Sequence, residues 1–186
     1  MFLIPKEIST MNTINLNPVR TGVSITLLLL FFGISMGILF GVAEDSFKDY
    51  IAQGIAAHPE LHDEKSASKI WRYAQRAHFH ATGISAFSLG LIMLVLFSSM
   101  GEKMKKITST LISLIALYPL AWFTTFVLSP SLGRDAAHHH IVTETLTYIG
   151  TGGLLIGLAI LMGNVLFSVF EDSGSKYHED RGFNPS

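Results

Sequence analysis

An all-α integral membrane fold is predicted here: a four-helix bundle with a short helical extramembrane cap between spans one and two. Three observations predict it. Of the 186 residues, 49% are hydrophobic and only 15% charged, and mean hydropathy is +0.43, a balance foreign to soluble domains. The charges are gathered into short stretches, and those stretches bound four long apolar runs. A hydrocarbon layer about 30 Å thick takes roughly 20 apolar residues of helix, and each run reaches that length.

The first run, residues 21–43, lies between Arg20 and the Glu44-Asp45 pair and contains LLLLFFG. No small-residue cleavage site ends it, so it reads as a retained anchor. Gly33, Gly37 and Gly41 recur every fourth residue, the pattern that lets helix backbones approach closely in lipid. Glu44, three residues further, is expected to point into the bundle. The connection 44–78 is too long for bare loop. Phe47, Tyr50, Ile51 and Ile55 at helical spacing predict an interfacial helix, and the segment from Lys65 through Trp71 and Tyr73 reads as a helical lead-in to the second span.

That second span covers residues 79–100. The connection 101–106 (GEKMKK) is so short that the second span and the third, 107–128, must form an antiparallel hairpin. Tyr118-Pro119 predicts a kink in the third span, and Ser129-Pro130 is expected to stop it, opening the connection 129–140. The fourth span, 141–170, is long enough to tilt or to project. Residues 1–20 and 171–186 read as polar tails with little fixed structure. Lys103, Lys105 and Lys106 in the short loop, with Arg20 on the same side, predict cytoplasmic tails and a histidine-rich face outside or in the periplasm. Lys48, Lys65, Lys69, Arg72 and Arg76 oppose this from the long connection, where charge counts less.

Several function classes drop out. Without cysteine there is no disulfide, iron–sulfur cluster or thiolate site. A net charge of −1 with no basic block leaves no footprint for nucleic acid. With no internal repeat, and no charge in the cytoplasmic half of the spans, a transport path is not visible.

Topology then collects residues distant in sequence. Glu44, Asp45, His78, His80, His138, His139, His140 and Glu144 fall at one depth on one face, and with His58 and His62 this gathers seven of the eight histidines, leaving His178 in the tail. At about 100° per residue, Arg76, His80, Gly83, Phe87 and Gly90 share one side of the second span, and His78 points away from them. His140, Glu144, Thr147 and Thr151 form a polar stripe on the fourth.

One arrangement this allows is a transition-metal site of Glu44, His80, His140 and Glu144, with His139 or His138 in reserve, suited to iron or copper and also to zinc. Another is b-type haem between His80 and His140, with Arg72 and Arg76 on its propionates, Gly83 and Gly90 admitting the ring, and Glu144 accepting a proton from a neighbouring quinol. That arrangement resembles four-helix membrane cytochromes in architecture. In either case the chain reads as a small electron-transfer or quinol-linked subunit in the bilayer, joined to other membrane subunits or to further copies of itself. The same residues also suit a structural role: interfacial histidines on backbone or headgroups, Glu144 paired with Arg76, and a cofactor-free accessory subunit binding its partner through the glycine row.

Overall fold

The computed structural model describes residues 15–170; both tail ends, with His178, lie outside the described residues. Within that range every regular element is a helix, and four helical stretches are long and apolar enough to cross a membrane. The chain enters through a 3-10 turn at Asn17–Val19 and continues as α1 (Arg20–Ala57), α2 (Ser66–Phe97), α3 (Glu102–Ser113), a 3-10 turn at Leu114–Ala116, α4 (Leu117–Leu132), α5 (Arg134–His138) and α6 (Ile141–Phe167).

The cap differs in kind from the separate interfacial helix expected. α1 has 38 residues, about 57 Å at 1.5 Å each, so it overshoots the hydrocarbon layer and its last turns are themselves the cap. At Ala43 (φ −140°, ψ 25°) the helix bends. Beyond the bend Phe47, Ile51 and Ile55 fold onto Ile70, Trp71 and Ala74 of α2 and Phe126 of α4. Burial against protein, in preference to headgroups, decides this segment's path. The lead-in to the second span is present as expected, because α2 begins at Ser66.

Proline acts differently at its two positions in the third span. Pro119 has no N–H for the carbonyl one turn earlier, and a 3-10 turn at Leu114–Ala116 precedes it, whereas α4 runs as a helix through Tyr118-Pro119, where the kink was expected. Pro130 does not stop the helix. α4 runs on through it to Leu132 and ends at Gly133, whose φ of 78° suits glycine. The connection expected over 129–140 is therefore largely helical, and GEKMKK likewise contributes most of its residues to α3. α6 stops at Phe167, three residues short of the expected limit, where Ser168 turns left-handed.

Packing makes the third span the centre. α3 and α4 together touch α1, α2 and α6, whereas α6 packs on the third span and α5 and scarcely meets α1 or α2. Small residues set the closest approaches. A Cβ on Gly22 would lie 2.6 Å from the Ser109 carbonyl oxygen of α3, and one on Gly33 would lie 2.9 Å from Ala81 Cβ of α2. Gly150, Gly153 and Gly157 of α6 meet Tyr118, Leu114 and Ile112 in the same way, a second glycine row that the sequence reading passed over. Side-chain hydroxyls inside the spans, among them Thr26, Thr125, Thr147 and Thr151, donate to the carbonyl four residues earlier. These hydroxyls are thus satisfied without water.

Candidate functional site

On the projecting end of α2, Tyr73, Arg76 and His80 are spaced three and four apart, so they share one face. Tyr118 and Trp122, one turn apart on α4, meet that face. The Tyr73 and Trp122 rings stack at 5.7 Å with 28° between planes. His80 lies 5.3 Å from the Tyr118 ring and 6.4 Å from that of Trp122. The Arg76 guanidinium sits over the indole at 4.7 Å, close enough for cation–π attraction. From α5, His138 places its ring 5.7 Å from Trp122. The buried indole Nε1 has no hydrogen-bond partner among the described residues.

The cluster continues to α6. His138 is 5.3 Å ring to ring from His139, and His139 Nδ1–H donates to Glu144 Oε1 at 3.1 Å. Glu144 is 36% exposed, held at the first turn of the helix, where a carboxylate is favoured by the backbone dipole. Beside the pair a recess of about 310 Å³ is lined by Tyr73, Arg134, Asp135, His138 and His139. A continuous strip of aromatic and ionisable groups therefore crosses the end of α4 from α2 to α6, two helices that hardly touch.

A clamp frames the strip from outside the spans. Arg134 Nη2 donates to Asp63 Oδ2 at 2.8 Å, and Ser66 Oγ donates to Asp63 Oδ1 at 2.9 Å. The Ser66 hydroxyl first, then the Arg134 cation, hold the Asp63 carboxyl below its ordinary range. His62 Nε2–H donates to the Pro130 carbonyl at 3.0 Å, satisfying one of the acceptors left open at the end of α4.

Of the residues expected at a site, some converge and others do not. His80, Arg76, His139 and Glu144 belong to the strip. Glu44 does not: it is exposed and paired with Lys48 at 2.8 Å, because the bend at Ala43 ends the helical phase extrapolated from the glycine row. Arg72 is exposed on α2. His140 caps α6, its Nδ1 accepting from Val142 N–H at 3.3 Å, and among the described residues neither a hydrogen bond nor a ring contact joins it to His80. No three His, Asp or Glu side chains among the described residues gather so as to hold a metal ion.

His78 turns away from His80, as its phase predicted, and seats its ring on Gly37 while Nδ1–H donates to the Gly33 carbonyl at 2.7 Å. Tyr73, Asp63 and Arg134 were not singled out by sequence. Tyr73 was legible as the i−3 neighbour of Arg76, whereas the pairing of Asp63 with Arg134 has no sequence signal. Neither a family model nor a curated protein nor a solved structure matches this chain.

Proposed function

We propose that the chain is a small membrane redox subunit which seats a planar redox-active ring, b-type haem or a quinol, against His80, Tyr118 and Trp122 at one membrane face. The observation that supports this is the convergence of an imidazole, stacked aromatic rings and a guanidinium beside the His139–Glu144 pair. Ionisable groups at membrane depth are held there at a cost and tend to serve function. His80 supplies an iron ligand or a hydrogen bond, Tyr118 and Trp122 offer ring faces, and Glu144 with His139 takes up a proton released by a quinol. Gly83 and Gly90, about one and three turns further along the His80 side of α2, have no atoms crowding the space a Cβ would fill, which leaves room for a ring edge.

The ring reading is favoured over a non-haem metal because, among the described residues, the acids and imidazoles do not form a three-ligand group. As a second haem ligand His138, which shares the Trp122 ring with His80, is better placed than His140. The His140 Nδ1 already accepts a hydrogen bond, and neutral imidazole binding iron through Nε2 keeps its proton on Nδ1. The lysines of residues 103–106 support this face lying outside the cytoplasm. A cofactor-free accessory role is the second reading. It is supported by the outer side of α6, where Tyr148, Ile149, Leu155 and Ile156 are exposed on a helix with a single span as its neighbour.

A visible spectrum, elemental analysis and solvent extraction of detergent-purified protein test the proposal together. A Soret band or a co-purifying quinone bears it out. Stoichiometric iron or copper with neither selects the non-haem site, and a colourless, metal-free, quinone-free protein leaves the accessory role.

A further inference from the structure

Resting on the ring reading just given, we infer that the ring carries an oxygen acceptor, a carboxylate or a carbonyl, held jointly by the Trp122 indole N–H and the Arg76 guanidinium. Tryptophan offers only a donor, and a buried donor without an acceptor destabilises the fold that contains it. Trp122 Nε1 is in that position. The groups around the indole explain its stacking but not its N–H: Tyr73, Tyr118, His80 and His138 meet it as rings, and Arg76, itself only a donor, lies over the ring.

Of the acidic groups nearby, Glu144 is engaged with His139 and Asp63 with Arg134 and Ser66, while Asp135 is fully exposed beside His139 at 4.0 Å. What the site lacks is an acceptor. The cation beside it decides the kind, because Arg76 favours an anionic or strongly dipolar oxygen and repels an amine or a bare metal ion. A recess bordered by Tyr73 and His138, both in ring contact with Trp122, lies beside the indole. Haem propionates and quinone carbonyls both present this chemistry, and amines, sterols and hydrocarbons do not present it in this form.

The test titrates haemin and, separately, a decyl-substituted benzoquinone into the full chain in detergent, comparing the wild type with Trp122→Phe and Arg76→Met. Phenylalanine keeps a ring to stack on Tyr73 while losing the donor and part of the indole's ring area. Whichever probe the wild type binds should bind Trp122→Phe about five- to tenfold more weakly, the weight of one hydrogen bond. Arg76→Met should weaken haemin more than the quinone, since only haemin brings full charges. Equal affinity in the wild type and both variants would overturn the inference, assigning the indole to a water molecule, while the ring reading would stand. Binding of neither probe to the wild type would remove both. Should Trp122→Phe lose its helical circular dichroism, Arg76→Met decides alone: its side chain is exposed, and unchanged affinity there overturns the inference.

Discussion

Replacing Gly37 by alanine tests how α1 and α2 are held together. The new Cβ would stand 2.7 Å from His78 Cε1, inside contact distance, so the imidazole must swing off the Gly33 carbonyl that it now meets at 2.7 Å. An interhelical hydrogen bond in a membrane is worth about 0.6 kcal/mol on average and up to about 1.7. Overpacking adds about 1–3 kcal/mol and helix propensity offsets up to about 1, so Gly37→Ala should destabilise the protein by roughly 1–3 kcal/mol. Gly41 belongs to the same row, yet a Cβ there meets nothing within 4 Å. Gly41→Ala should be neutral, or stabilising by up to about 1 kcal/mol through helix propensity. Unfolding in mixed micelles, followed by far-ultraviolet circular dichroism, measures both. Because the damage passes through His78, the double variant Gly37→Ala/His78→Ala should cost no more than His78→Ala alone. Strict additivity in that cycle, or equal damage at Gly37 and Gly41, would refute the reasoning.

Three further outcomes are expected. Single cysteines at Glu64 and Lys103 should be labelled from opposite sides of the membrane, Glu64→Cys from outside intact cells, and labelling of both from one side would break the four-span topology. The Asp63 carboxyl titrates below its ordinary value of 3.8 because Ser66 and Arg134 hold its charged form. Its contribution to stability is therefore complete above that pH and lost as pH falls through the depressed folded-state value. The thermal-stability advantage of wild type over Asp63→Asn should shrink in acid, and an advantage that grows in acid would contradict the clamp. His80→Ala should abolish retention of the ring while His78→Ala keeps it and lowers thermal stability; the two residues are close neighbours on α2 but face α4 and α1 respectively, and equal loss of the ring in both would contradict that assignment.

Apolar runs bounded by charge were enough to read the number of spans and the hairpin between the second and third. Hydropathy, however, registers lipid compatibility and not the end of a helix. α1 accordingly runs well past the expected limit, and Phe47 and Ile51 belong to a bent continuation and not to a separate interfacial helix. Phase arguments held where a helix is regular, separating His78 from His80, and failed for Glu44 because Ala43 carries no residue-type signal for a bend. Pro130 misled in the opposite sense: sequence marks the lost donor but not that α4 is packed well enough against Gly54 and its neighbours to continue. The strip itself was half legible. His80, Arg76, His139 and Glu144 follow from topology, while the meeting of Trp122 with Tyr73 and Arg76 depends on how α2 and α4 are rotated against each other.

That rotation has an identifiable source. A residue in a 3-10 turn advances about 120° around the axis, against about 100° in an α-helix, so the three residues Leu114–Ala116 add about 60° of twist between α3 and α4. Below the turn Leu111 and Ile112 are directed at the α6 glycines; above it Trp122 is directed at α2. The turn works as a phase shifter between α3 and α4, each of which packs on both α2 and α6. If Pro119→Ala restored the missing N–H and let the segment rewind as a regular α-helix, every side chain beyond it would rotate back by that angle. The indole would then leave His80 with no change at either residue.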